Sequence, residues 1–180
     1  MAATTTERIG GGSLLLDAYG GDFSSPTDLG AINEDGIKIG DFDVQEFKLK
    51  YGNKFGTKTS FAWIDDFTLD VRLMDFSVAN VARMLGQNST DVTDNSGASP
   101  KNESMPIGGR INATHYAIKL KLPQPDDPTL FDIFTFTKVK MLPVQPEDFK
   151  NEPRFVPLQF RVFLDSGASD RHGTFLSEYA

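Results

Sequence analysis

The stretch FTLDVRLMDFSVANVARMLG, residues 67–86, decides how this chain is read. In its first half Phe67, Leu69, Val71 and Leu73 alternate with Thr68, Asp70 and Arg72. That is the period of two of a strand with one buried face, and it predicts a single strand over residues 59–73. Past Met74 the period changes. Val78, Val81, Ala82 and Leu85 fall at i, i+3, i+4 and i+7, one apolar stripe of a helix predicted over Ser77–Leu85. Asp75 or Ser77 offers a side-chain oxygen to a free backbone N–H at the helix start. Gly86 takes the left-handed conformation that ends it.

Upstream, residues 1–12 (MAATTTERIGGG) are small, polar and glycine-rich, and are expected to form a flexible arm. A strand is predicted at Ser13–Tyr19, then a loop where Gly20, Gly21, Ser24, Ser25 and Pro26 gather. Residues 31–51 read as extended, with Phe47, Leu49 and Tyr51 alternating with Lys48 and Lys50. Phe42 and Val44 have the opposite parity, so the pattern slips near Gln45-Glu46, through a β-bulge or because two strands meet there. Residues 52–58 (GNKFGTK) carry turn chemistry.

Downstream, residues 87–110 are polar and read as one long loop. Three further strands complete the prediction. Tyr116, Ile118, Leu120 and Leu122 mark the first; Phe134, Phe136, Val139 and Met141 the second; Leu158, Phe160, Val162 and Leu164 the third. Proline-bearing connectors at 123–128 and 143–157 separate them, and no internal repeat is present. The expected fold is mainly β: one sandwich or barrel domain over residues 13–180 with a single flanking helix.

Composition narrows the function. Fifteen Phe against one Trp and four Tyr suit the interior between packed sheets. A net charge of −7 argues against a surface that neutralises nucleic-acid phosphates or docks on an anionic membrane. The absence of cysteine removes disulfides, thiolate zinc sites and cysteine nucleophiles. No apolar run approaches the ~20 residues of a membrane span, and Leu14-Leu15-Leu16 is too short for a signal peptide. The chain is therefore expected to be made and kept in a cytoplasm, or assembled into a particle there. In an unsecreted chain the Asn-x-Ser/Thr sites at Asn88, Asn102 and Asn112 are chance matches.

The sharpest enzymatic lead is Leu164-Asp165-Ser166-Gly167-Ala168-Ser169, which resembles the Asp-Thr/Ser-Gly loop of retroviral-type aspartic proteases. Those enzymes need two carboxylates sharing a proton. This chain holds one copy, and only eleven residues follow Ser169 where that family places most of its fold. Asp-Ser-Gly is also what a strand needs in order to turn, so Asp165 is read as a turn residue. Residues 91–97 (DVTDNSG) lack the alternating acids and distal Glu of a calcium loop. His115 and His172 are the only histidines, which leaves no multi-histidine metal site and no triad context. No glycine-rich segment has the phosphate-loop spacing. Lys48 and Lys50 beside Tyr51 read as a solvated face or as edge protection. No enzymatic activity, cofactor or metal is expected.

The order of features resembles the major tail (tail tube) proteins of long-tailed, siphophage-like bacteriophages. The resemblance is carried by DLGAINEDGIKI at 28–39, the strand and turn at 42–58, the stretch at 67–86 and RFVPLQFRVFLDSG at 154–167. It implies a β-sandwich with a helix on its flank, whose copies join into hexameric rings stacked as a hollow tube. Other tail proteins would be its partners, DNA would pass through the lumen without specific binding, and the protein would reside in the virion tail. Tubes of contractile tails and of type VI secretion are related alternatives. A ligand-binding β-sandwich module is a rival from another class, although the lone Trp63 lies in a predicted strand. In a tube, Asp41, Asp43, Asp66 and Asp70 on polar strand positions are the candidates to face the lumen, where they would repel phosphates.

Overall fold

Every second residue of the strand that opens the quoted stretch is buried: Phe67, Leu69, Val71 and Leu73 are each at most 6% exposed. The computed structural model describes residues 11–40, 44–50, 57–97, 99–108, 111–145, 155–168 and 171–179. Its first strands are β1 (Ser13–Ala18), β2 (Thr27–Gly40), β3 (Val44–Lys50), β4 (Thr57–Ile64) and β5 (Asp66–Leu73). Helix α1 (Val78–Met84) and the short β6 (Thr93–Asn95) and β7 (Asn102–Ser104) follow. Then come β8 (His115–Pro123), β9 (Phe131–Leu142), β10 (Val156–Phe163) and β11 (Gly173–Ser177).

Six of these strands close on themselves. They run β10-β5-β2-β1-β8-β9, and β9 pairs back onto β10. Every pairing around this ring is antiparallel, which an even number of strands permits. Closure leaves the six strands few unpaired backbone groups. The expected mainly β domain with one flanking helix is thus a six-stranded barrel with added strands. Its interior is apolar, with Leu14, Ile32, Leu69, Ile118, Leu120, Val139, Leu158 and Phe160 all at 1% exposure or less. Phe134 and Phe136 are out of step with Val139 and Met141 in sequence. The register explains this: Ile118 pairs with Phe136 but Tyr116 with Val139, so β9 carries one extra residue. The bulge resets the parity and keeps both pairs on the core side.

The predicted strand over 59–73 is two strands. β4 ends at Ile64 and pairs with β3 in a separate two-stranded ladder, while β5 starts at Asp66 inside the barrel. Residues 31–51 divide likewise between β2 and β3, so the two-strand alternative holds. Pairing is continuous across Gln45 and Glu46, and the irregularity lies between Leu49 and Lys50. Phe42 and most of the 52–58 turn lie outside the described residues.

Helix α1 starts and stops where its residues dictate. Ser77 Oγ accepts from the Asn80 N–H at 3.2 Å, and Gly86 takes φ +71°. Its deepest side chains, however, are Asn80, Ala82 and Met84, while Val81 and Leu85 are only partly buried. The predicted stripe still faces the core, through buried Ala82 and through Val81 and Leu85 packed against the core cluster. The buried Asn80 is what the apolar period does not mark. Asn80 is satisfied there: its Nδ2 donates to the Leu29 carbonyl at 2.8 Å, and its Oδ1 accepts from Arg83 at 2.9 Å. The amide thereby ties the helix to β2.

Three expectations about irregular segments need correction. Residues 87–110 are not one open loop: they hold a short 3-10 turn at Ser89–Asp91 and the β6–β7 hairpin. The base of this excursion is closed by Asn112 N–H donating to the Gly86 carbonyl at 2.7 Å. The arm expected over 1–12 is in part barrel, since Gly11 N–H donates to the Ile32 carbonyl at 2.9 Å. Gly12, at φ +141°, sits so close to the Lys121 carbonyl that a Cβ would collide with it. Residues 1–10 lie outside the described residues. Finally, three strands were expected after the loop, and β11 is a fourth.

Candidate functional site

β9 is long enough to serve two neighbours on one side. Its second half pairs with β10, Val139 facing Val162, and its first half pairs with β11, Phe136 facing Gly173. β11 therefore stands beyond the closed ring as the terminal strand of the sheet, with its outer edge unpaired among the described residues. Its sequence GTFLS contains neither charge nor proline, the devices that ordinarily blunt an edge. Phe175 is 58% and Leu176 57% exposed, and Tyr179 just beyond is 91% exposed. Successive residues point to opposite faces, so both faces of the edge are apolar. Phe175 rests on Phe134 with ring centroids 4.6 Å apart.

The edge is held in place. Glu178 N–H donates to the Phe131 carbonyl at 3.0 Å, and the Glu178 carboxylate accepts from Phe131 N–H at 3.0 Å. From the β8–β9 connection, Gln124 Nε2 donates to the Glu178 carbonyl at 2.8 Å. The strand is thus fixed in its extended form before any partner arrives. Sequence reading missed it because five residues without apolar alternation carry no periodic signal.

Asp66 and Asp70 lie on the outward side of β5, opposite the buried Phe67 and Leu69. Asp66 accepts from Arg161 Nε at 2.8 Å and lies 2.7 Å from its NH2, and Asp70 accepts from Gln159 Nε2 at 2.7 Å. Asp41 and Asp43 lie outside the described residues. The exterior is also not uniformly acidic. Lys38 pairs across from Asp70, and Lys140 stands between His115 and Arg161. Asp66 is therefore more than a solvated charge. Replacing it with Lys sets a like charge against Arg161 in place of a two-point ion pair, and is expected to cost about 1 kcal/mol. Urea unfolding of Asp66→Lys beside Arg161→Ala checks this.

Asp165 opens a turn, as expected, since the 3-10 turn Ser166–Ala168 follows it directly, but its carboxylate does more than cap that turn. It is 5% exposed, and its Oδ1 accepts from the Tyr19 hydroxyl at 2.9 Å and from Gly167 N–H at 3.0 Å. Burial opposes its ionisation, but the bonds from Tyr19 and Gly167, the nearby Thr137 hydroxyl and the charge of Lys138 outweigh that and hold the carboxyl below its ordinary value. The carboxylate pins the end of β1 to the segment after β10. Asp165→Asn, expected to be near neutral for a turn residue, is instead expected to lose about 1–2 kcal/mol at neutral pH. A depressed folded pKa means this stabilisation is present above the ordinary carboxylate value, about 3.9, and is lost as pH falls through the folded value. Unfolding curves of wild type and Asp165→Asn should therefore converge on acidification.

The remaining sequence candidates do not converge on one place. His115 packs edge-on to Phe163 with centroids 5.6 Å apart, whereas His172 Nε2 lies 3.1 Å from the Asp65 carbonyl oxygen. In the segment once compared with a calcium loop, Asp94 pairs with Glu103 across the β6–β7 hairpin. Among the described residues no three His, Asp or Glu side chains gather as a metal site.

No family model matches the chain, and no curated protein matches it. Among solved structures, a chain of the six-fold-symmetrised cryo-EM structure of the anti-feeding prophage baseplate is similar to it. That chain is 11% identical, with 96% of this chain and 97% of that chain covered and a TM-score of 0.39. At that identity and score the likeness establishes neither family nor role.

Proposed function

We propose that the chain is a non-enzymatic structural subunit that assembles with copies of itself, and that the assembly is the tail tube of a long-tailed phage. The observation that carries this reading is the preformed apolar edge of β11. A barrel closes off the edges of its own strands, yet this chain adds a strand outside the ring and leaves its edge unguarded. Such an edge pairs with another chain through main-chain hydrogen bonds, with side-chain pockets supplying specificity. If it meets a different surface of the next copy, the contact is head-to-tail and generates a ring when the rotation closes. The resemblance at 28–39, 42–58, 67–86 and 154–167 implies that the rings are hexameric and stack into a tube that DNA traverses, in a virion tail built in the host cytoplasm.

Size-exclusion chromatography with negative-stain microscopy of the purified chain tests the reading. Rings or tubes are the expected result. A monodisperse monomer at high concentration would overturn it.

A further inference from the structure

We infer that the cavity beside Arg83, between the end of α1 and the barrel, is a binding site for a carboxylate. The cavity measures about 150 Å³, room for one small group, and its floor is Leu16 and Met141. Arg83 is half-buried and hydrogen-bonded only to neutral atoms: Asn80 Oδ1 at 2.9 Å and Ser89 Oγ at 3.2 Å. Among the described residues no carboxylate pairs with it. Desolvation lowers its pKa, with Tyr116 opposing the shift, so its charge is being withdrawn from water without a counter-charge. Its place in the last turn of α1 offsets part of that cost through the helix dipole, but leaves the other donors around it unanswered.

Those donors converge on the same space. Ser89 Oγ accepts from Arg83 and the Tyr116 hydroxyl accepts from Asn112 Nδ2 at 2.7 Å, so both hydroxyls have a hydrogen left to give. Asn88 uses its Oδ1 on Thr90 N–H and keeps its amide hydrogens. Gln87 Oε1, an acceptor of the lining that is sealed from solvent, bonds none of them. A carboxylate brings one negative charge and about four acceptor positions, matching one guanidinium and several neutral donors. A phosphate dianion would leave a charge uncompensated. Two sources supply that chemistry, a side chain of a second copy and a free small acid.

Acetate is the probe, titrated into the isotope-labelled chain against chloride at matched ionic strength and followed by NMR. The expected result is a saturable shift of the Arg83 Nε–H signal, together with Ser89, Asn112 and Tyr116. Arg83→Gln should abolish it, and Arg83→Lys should weaken it about tenfold, the loss of one charge-assisted hydrogen bond. Equal responses to acetate and chloride overturn the site. So do saturable shifts confined to other residues, a readout that needs no variant to fold. Sedimentation of the assembling protein with and without acetate then separates the sources. Acetate-specific dissociation assigns the carboxylate to a second copy, and unchanged assembly with acetate bound assigns it to a free acid.

Discussion

Phe160→Ala is expected to destabilise the chain by about 3–5 kcal/mol, the range for removing a buried aromatic ring from a packed core. Phe160 is fully buried and heads the largest such side chains of the barrel. It pairs with Leu69 of β5 on one side and with Met141 of β9 on the other, so its ring lies where the last strand closes the ring of six. The neighbouring backbone is fixed by ladder bonds on both sides and cannot collapse into the space, so the cavity persists with its full cost. A domain of this size is stable by only about 5–15 kcal/mol, so much of the margin would go. Urea unfolding at constant m-value measures the loss. A change below about 1 kcal/mol would mean that the barrel is not closed as described.

Leu176→Lys is expected to leave the folded subunit intact and to weaken its assembly. Leu176 is 57% exposed, and exposed substitutions change stability by about 0.5 kcal/mol or less. At an interface the part of the side chain still exposed would be buried, which is worth about 1–2 kcal/mol for a half-exposed Leu. Lys forfeits that and adds the charge with which natural edge strands repel strand addition. The concentration needed for assembly should rise about tenfold or more, since each 1.4 kcal/mol is a factor of ten. Thermal melting and negative-stain microscopy on the same preparation separate the two effects. Tubes formed normally by a well-folded Leu176→Lys would remove β11 from the interface and with it the support for the proposed role.

Local pattern carried much of the architecture. The alternation at Phe67–Leu73, Tyr116–Leu122 and Leu158–Val162 marked three barrel strands, and Ser77 and Gly86 marked the limits of the helix. These features are legible because one-sided burial imposes a period on neighbouring residues. The same logic failed wherever the deciding partner was distant in the chain. The run 59–73 keeps one pattern while its halves join different sheets, because alternation reports a buried face and not which strand covers it. Nothing in the local pattern marks Asn80 as buried, because the Leu29 carbonyl that bonds it lies 51 positions away. Asp165 is the turn residue that its neighbours predict, but its bond to Tyr19, 146 positions away, is invisible in that window.

The candidate surfaces divide in the same way. Sequence by itself determined a mainly β chain with one helix, an acidic balance and no sulfhydryl chemistry, because composition and short-range period are properties of the chain alone. Only the tertiary structure decided that six strands close while β11 stays outside with its edge unpaired among the described residues, that Asp66 faces Arg161, and that Arg83 meets neutral donors around a cavity. The first two rest on pairings between segments far apart in the chain, and the cavity on Leu16, Tyr116 and Met141 being brought against the end of α1. The free energy of such a pairing depends on loop closure, register and the burial of both partners together, and no window of neighbouring residues contains those quantities.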